Sequence, residues 1–373
     1  MDRFRQDDEV QQRLKRLHAG GMWAWLFDSL NRAAQRGDQQ RQMMARLLLH
    51  GGEGMDGDFD RGLEFLNSGR ALAERLGEPW WVVLFDHWRL QLLLKKGDYP
   101  LGRDLVMHLV TEVRKPRYEG LPLRVCIQED LIRLCSETDP AGYAPRIEQA
   151  LRSMDTSVAP GTHCYHCLQC LRADFAREMG RWDEAEQGLQ LLLRLDADQP
   201  RSLAVHHANL CQVAYERGDR DALSAWARSG EQLARQTARD DCLAECLAWR
   251  AFVTMASDAV DAERLAGEAV AAAQRAAGAP HSDFFDVLCR YYEGVGALDR
   301  ALDARFTQLK ELADTGRLAR ELHCRAEICR LLAALGKSAR NQIAAARKVA
   351  RGLQRPEPTL ALFDRLDREG SRA

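Results

Sequence analysis

Apolar residues recur along this chain with the three- to four-residue spacing of α-helices, and short polar turns interrupt them at regular distances. Leu203, Leu210 and Ala214 mark one helical face, for example, and Trp226 and Leu233 mark the next. This spacing places each set on one side of a helix. The pattern therefore predicts an all-α chain of paired helices.

The turns between the helices recur with a fixed period. They begin at residues 57, 97, 139, 180, 218, 257, 296 and 336, so successive turns lie 38 to 42 residues apart. At 218–219, glycine can adopt the left-handed backbone that ends one helix, and aspartate can cap the next. A period in this range is typical of helical-repeat solenoids. The sequence predicts an α-solenoid of antiparallel helix pairs at 54–354, an N-terminal helical cap or bundle at 1–53, and a C-terminal capping helix and tail at 355–373.

Small residues occupy equivalent places in several repeats. The alanines four or five residues after a turn are Ala185, Ala222, Ala262 and Ala301, and the cysteines seven residues before a turn glycine are Cys211, Cys289 and Cys329. With turns such as Gly57-Asp58-Phe59, this pattern resembles the tetratricopeptide repeat, with a period of about 40 residues here instead of about 34. The resemblance implies a superhelix in which the first helix of each pair lines a concave groove.

The resemblance also indicates which side chains face the groove. The tetratricopeptide position six residues before the turn corresponds here to Arg133, Asp174, Gln212, Arg290 and Arg330, and Arg177 and Tyr215 lie at neighbouring positions. Arginine can bind a carboxylate through two parallel hydrogen bonds. The expected function is a scaffold or adaptor that binds a peptide or helix of a partner protein. The alternative is a polar groove without a ligand, because 29% of all residues are charged.

A second local pattern combines cysteine and histidine. His163, Cys164, Cys167 and Cys170 lie in a Cys-x-x-Cys-x-x-Cys run, and thiolates and imidazoles are the preferred ligands of zinc. One helix does not easily surround a metal, so either His206 or His207 of the next repeat would have to supply a further ligand, or the first turn of the helix would have to unwind. Two interpretations stay open: a metal or redox site with zinc as the candidate cofactor, or small thiols that fill helix contacts. The sequence indicates no other cofactor.

Composition excludes several classes of function. A net charge of -2 over 373 residues provides no basic surface for nucleic acid. The most apolar window, 80–94, is short for a membrane span and contains three ionisable side chains, so we expect no membrane partner. Eleven scattered cysteines indicate the reducing cytoplasm.

No catalytic motif is present, so we expect no enzyme. Two other functions stay open beside the adaptor. An N-terminal bundle before a repeat domain resembles, in layout, bacterial peptide-responsive regulatory proteins. The run at 163–170 alternatively predicts a metal- or redox-responsive scaffold. The sequence leaves the oligomeric state open.

Overall fold

A computed structural model describes residues 30–55, 58–118, 123–155, 158–276, 282–313 and 315–370. Over these residues the chain is helical nearly throughout and contains no strand. The paired helices are α1 (Gln39–Met55) with α2 (Phe59–Arg75), α3 (Pro79–Lys96) with α4 (Tyr99–Glu112), α5 (Leu123–Thr138) with α6 (Pro140–Asp155), α7 (His163–Glu178) with α8 (Trp182–Leu195), α9 (Pro200–Glu216) with α10 (Arg220–Gln236), α11 (Asp240–Thr254) with α12 (Ala259–Arg275), α13 (Ser282–Gly294) with α14 (Leu298–Leu312), and α15 (Leu318–Ala334) with α16 (Arg340–Ala350). The closing helix is α17 (Glu357–Gly370), and Pro116–Tyr118 forms a short 3₁₀ turn.

The two helices of each pair pack against each other, which confirms the predicted all-α, solenoid-like fold. The turns from 97 to 336 fall between the helices of a pair, as the period predicts. Gly218 has a φ of +74°, and the Asp219 carboxylate accepts a hydrogen bond of 2.9 Å from the backbone N–H of Ala222. Glycine therefore ends one helix, and aspartate begins the next.

The glycine-rich segment 51–57 follows the predicted N-terminal helices, and its glycines predict a loop there. In the structure, however, residues 51–55 belong to α1. Glycine lowers helix propensity by only about 1 kcal/mol per residue, and α1 packs along α2, so tertiary contact outweighs the local preference. The predicted helices before residue 30 and the turn at Gly57 lie outside the described residues.

Small residues let the helices approach closely. Ala185, Ala262 and Ala301 have no exposed surface, as their repeated position after the turns predicts. A Cβ atom added to Gly188 would lie 3.0 Å from the Cβ of Ala173 on the partner helix. The largest core cluster includes α9 to α15, and Trp249 is its largest side chain at 1% exposure.

The superhelix closes on itself after five helix pairs. Helix α15, which begins the eighth pair, contacts α5, which begins the third. The backbone N–H of Tyr99 donates to the carbonyl of Thr315 at 3.1 Å, and the N–H of Gln354 donates to Asp139 Oδ2 at 2.8 Å. We call these contacts, with the Arg317–Glu137 ion pair, the closing seam. Because of the seam, the first helices of the third and eighth pairs lie side by side.

Among the described residues, every helix is either too short or too polar to cross a lipid bilayer.

Candidate interaction site on the concave face

Charged side chains from five of the first helices, and from the residue just before α15, meet at the centre of the superhelix. We call this set the central charged network; its members are Arg133 and Glu137 of α5, Asp174, Arg177 and Glu178 of α7, Glu245 of α11, Asp283 of α13, Arg317, and Arg320 of α15. Four arginines face five carboxyl groups. The network is therefore close to neutral and pairs opposite charges within the chain.

Arg320 makes the most contacts in the network. Its guanidinium donates to Asp283 at 2.6 Å and to Glu178 at 2.7 Å, and its Nε lies 4.0 Å from Glu137. Arg177 approaches the other oxygen of Asp283 at 3.6 Å. A single arginine thus joins the third, fourth and seventh helix pairs to the eighth.

The arginines determine which carboxyl groups stay ionised. Burial disfavours the carboxylate of Asp283, but Arg320 and Arg177 outweigh it and hold the pKa of Asp283 well below its usual range. Burial disfavours ionised Glu137 as well, and Arg317 and Arg320 lower its pKa in the same way.

Glu245 differs from Asp283 and Glu137, because its environment favours the protonated carboxylic acid. Burial, reinforced by the nearby negative charge of Asp283, raises the pKa of Glu245 to about 8. Its side chain lines a cavity of about 210 Å³ together with Asp283, Arg317 and Arg320. At neutral pH the cavity therefore holds one carboxylic acid that can donate a hydrogen bond among ionised neighbours.

The raised pKa of Glu245 predicts a pH-dependent stability. Between the unfolded pKa of about 4.5 and the folded pKa of about 8, the native state binds more protons, so stability falls as pH rises. Glu245→Gln keeps a neutral side chain, and we expect it to be more stable than wild type by roughly 2–4 kcal/mol at about pH 8–9 and equal to it near pH 4.5. Denaturant unfolding of both proteins across this range measures the difference. Parallel stability curves would contradict the assignment.

The predicted groove residues divide into two groups. Arg133, Asp174, Arg177 and Gln212 lie in or against the central charged network. Arg133 donates to Glu129 at 3.2 Å, and Arg177 donates to the side-chain oxygen of Gln212. The structure thus brings four of the seven predicted residues together, and each arginine already has a partner within the chain.

The other three predicted residues lie further along the same face. The guanidinium of Arg290 stacks on the ring of Tyr215 at 4.1 Å and donates to Glu216 at 3.1 Å. Arg330 donates to Glu293 at 2.6 Å and to Glu327 at 2.8 Å. The side chains of Arg290 and Arg330 are 32% and 46% exposed. These two arginines hold carboxylates at positions that solvent reaches.

The sequence rule places groove residues six positions before each turn. That rule does not find Glu245, Asp283, Arg317 or Arg320. In the early pairs the axis-facing residues lie near the C-terminal end of the first helix, as Arg133 and Arg177 do. In later pairs they lie closer to its N-terminal end, as Asp283 and Arg320 do. A sequence rule that uses the same position in every first helix therefore cannot identify these residues. The closing seam has no local sequence signal either.

The predicted metal ligands do not share one environment. A hydrogen bond with Cys126 of α5 lowers the pKa of Cys164, whereas burial and Glu129 raise the pKa of Cys167 to about 12. Cys170 lies beside His166, with Sγ 3.8 Å from Nδ1. The side chain of His163 lies outside the described residues. The predicted set of four ligands stays a prediction.

A larger cleft, of about 410 Å³, lies between α2, α3 and α4. Its buried carboxylate, Asp86, is bonded to Arg70 and Arg89, and Glu112 is bonded to Lys115 and Arg117. These polar groups are bonded within the chain, as the arginines of the concave face are, but none of the cleft arginines stacks on Tyr215 as Arg290 does.

Neither a scan against protein-family models nor a search of curated proteins finds a match for this chain.

Proposed function

We propose that the protein is a tetratricopeptide-like interaction adaptor that binds an acidic segment of a partner protein along its concave face. The observation that carries this proposal is the pairing of Arg290 and Arg330 with carboxylates at a solvent-reachable position. Exposed ion pairs contribute only about 0–1 kcal/mol, so a partner's carboxylates can replace the internal ones at small cost. The protein then acts by binding and needs no catalytic group.

Of these two arginines, Arg290 is the one whose side chain is already oriented to bind a carboxylate. Its stack on Tyr215 orients the guanidinium plane and leaves most of its edge N–H groups for a ligand. Tyr215 is held in turn by Trp249 and Phe252, whose ring centroids lie 5.2 and 5.3 Å away. A fixed donor fork of this kind favours a carboxylate over other polar groups.

The test is a pull-down from the source lysate with matched variants. We expect Arg133→Ala/Arg290→Ala/Arg330→Ala to lose at least one partner that wild type retains. Arg201→Ala, which changes an exposed arginine outside this set, is expected to retain it. A synthetic peptide from that partner should then bind wild type at least about tenfold more tightly than the triple variant. Equal capture by all three proteins would contradict binding on the concave face.

A second candidate function is a peptide-responsive regulator, and the closing seam favours it. A segment that binds against the central charged network would displace Arg317 from Glu137, which belongs to the seam, or Arg320 from Glu178. Binding would then open the superhelix, and the open form would act on a target. Small-angle X-ray scattering separates the two functions: an increase in the radius of gyration with peptide supports the regulator, and an unchanged radius supports the adaptor.

A further inference from the structure

Three candidate metal ligands from consecutive elements converge beside the central charged network. His166 lies on α7, Asp196 directly follows α8, and His206 lies on α9. The Nε2 atoms of His166 and His206 lie 2.9 and 2.8 Å from the same oxygen, Oδ2 of Asp196. Among the described residues, this is the one set of three candidate ligands whose donor atoms all lie within 4.8 Å of one another.

The carboxylate of Asp196 is incompletely satisfied. The residue is 1% exposed, and its Oδ1 is buried without a hydrogen-bond partner in the described structure. Leaving a buried acceptor unpaired costs about 1–3 kcal/mol, and more when the group is charged. A cation bound at the cluster would neutralise the carboxylate and so lower the cost of burying it.

The spacing of the donor atoms fits a small tetrahedral ion after a slight expansion. Nitrogen and oxygen ligands lie about 2.0–2.2 Å from zinc, which puts neighbouring donor atoms of a tetrahedron about 3.3 Å apart. The observed 2.8 and 2.9 Å separations therefore need to open by roughly half an ångström. Rotation of the half-buried His166 side chain, which is 31% exposed, can supply that movement and gives the ion a route from solvent.

Cys170 lies beside the cluster but outside the set whose donor atoms are within 4.8 Å of one another, so its thiolate has to move closer to join the coordination. It lies one helical turn after His166, and its Sγ is 3.8 and 4.0 Å from the two ring nitrogens of that histidine. Two imidazoles, a carboxylate and a thiolate suit zinc better than calcium or magnesium, which prefer oxygen ligands alone.

We propose that His166, Asp196, His206 and Cys170 form a zinc-binding site that ties α7 to the junction of α8 and α9. Zinc replaces the two hydrogen bonds to Asp196 with three metal bonds and recruits the thiol as the fourth ligand. Cys164 and Cys167, which face Cys126 and Glu129, are not ligands. The ion stabilises the contact between the fourth and fifth helix pairs, independently of partner binding at Arg290.

Zinc titration of the chelator-treated protein by calorimetry tests the site. We expect wild type to bind one Zn²⁺ per chain, and His166→Gln and His206→Gln to bind it at least about 100-fold more weakly. The matched control is His207→Gln, because His207 bonds the carbonyl of Leu203 and contacts the tilted ring of Trp226 outside the cluster. The control should bind like wild type. Absence of stoichiometric binding by wild type, or binding by His206→Gln as tight as wild type, overturns the proposal.

A spectroscopic measurement on the wild-type protein guards against variants that fold poorly. Cobalt(II) in place of zinc gives visible bands that report tetrahedral coordination and a near-ultraviolet band that reports a thiolate ligand. We expect both, with the thiolate band lost in Cys170→Ser and kept in Cys167→Ser. If Cys167→Ser removes the thiolate band while His206→Gln leaves the spectrum unchanged, the metal is bound by the cysteine run and the proposal is wrong.

Discussion

Arg320→Ala is expected to lower the free energy of unfolding by about 3 kcal/mol. The side chain is only 18% exposed, and its removal leaves Asp283 and Glu178 without their short hydrogen bonds. Removing one partner from a buried charge cluster leaves the others desolvated and unpaired, which costs more than the pair itself contributes. Equilibrium denaturation in urea measures the loss.

The same variant should open the superhelix. Arg320 connects helix pairs at the two sides of the closure, so we expect a larger radius of gyration by small-angle scattering. Arg347→Ala is the control, because Arg347 pairs with Asp364 and Asp367 at the exposed C-terminal end. It should change stability by less than about 1 kcal/mol and leave the radius unchanged. Equal effects of the two substitutions would show that the central charged network does not hold the closure.

Trp249→Ala is expected to have the largest effect of any core substitution, about 4 kcal/mol. Trp249 is the largest fully buried side chain, and its truncation leaves a cavity in the cluster that joins α9 to α15. Trp249→Phe keeps a ring at the site and should cost markedly less. Trp88→Ala, which changes a tryptophan that is 37% exposed, should cost less than about 1 kcal/mol.

The Trp249 variants also connect the core to the concave face. Trp249 packs on Tyr215, and Tyr215 carries the stacked Arg290. If the adaptor proposal is right, Trp249→Ala should weaken partner binding even under conditions where the protein is fully folded, and Trp249→Phe should retain most of it. Thermal unfolding and the pull-down assay on the same preparations separate the two effects.

The periodic features of the fold could be predicted because each depends on neighbouring residues. The turn at Gly218 and Asp219 and the close packing at Ala262 follow from local chemistry that recurs in several repeats. The sequence also predicts that Arg133 and Arg177 face inward. Their partners were not predictable, because the ion pair between Glu137 and Arg317 joins residues 180 positions apart, and no local pattern reports such a distance.

The candidate zinc site likewise contains residues that the sequence indicated and one that it did not. Cys170 stood out because it belongs to a dense run of cysteines, and His206 was a candidate for a further ligand. Asp196 gave no signal, since aspartate is common and this one follows a helix end as many do. Only the packing of α7 against α8 and of α8 against α9 shows that its carboxylate lies between two imidazoles.

The closing seam changes how the repeats share stability. In an open solenoid each repeat contacts only its neighbours, so unfolding can begin at one end and proceed unit by unit. Here the backbone bond between Tyr99 and Thr315 and the bond between Asp139 and Gln354 make distant repeats neighbours in space. Deleting one internal repeat would shift the eighth pair past its contacts on the third, so this array tolerates neither loss nor insertion of a unit. The repeats are therefore expected to unfold together in one cooperative transition. The number of repeats is fixed by the five helix pairs that separate the two sides of the seam.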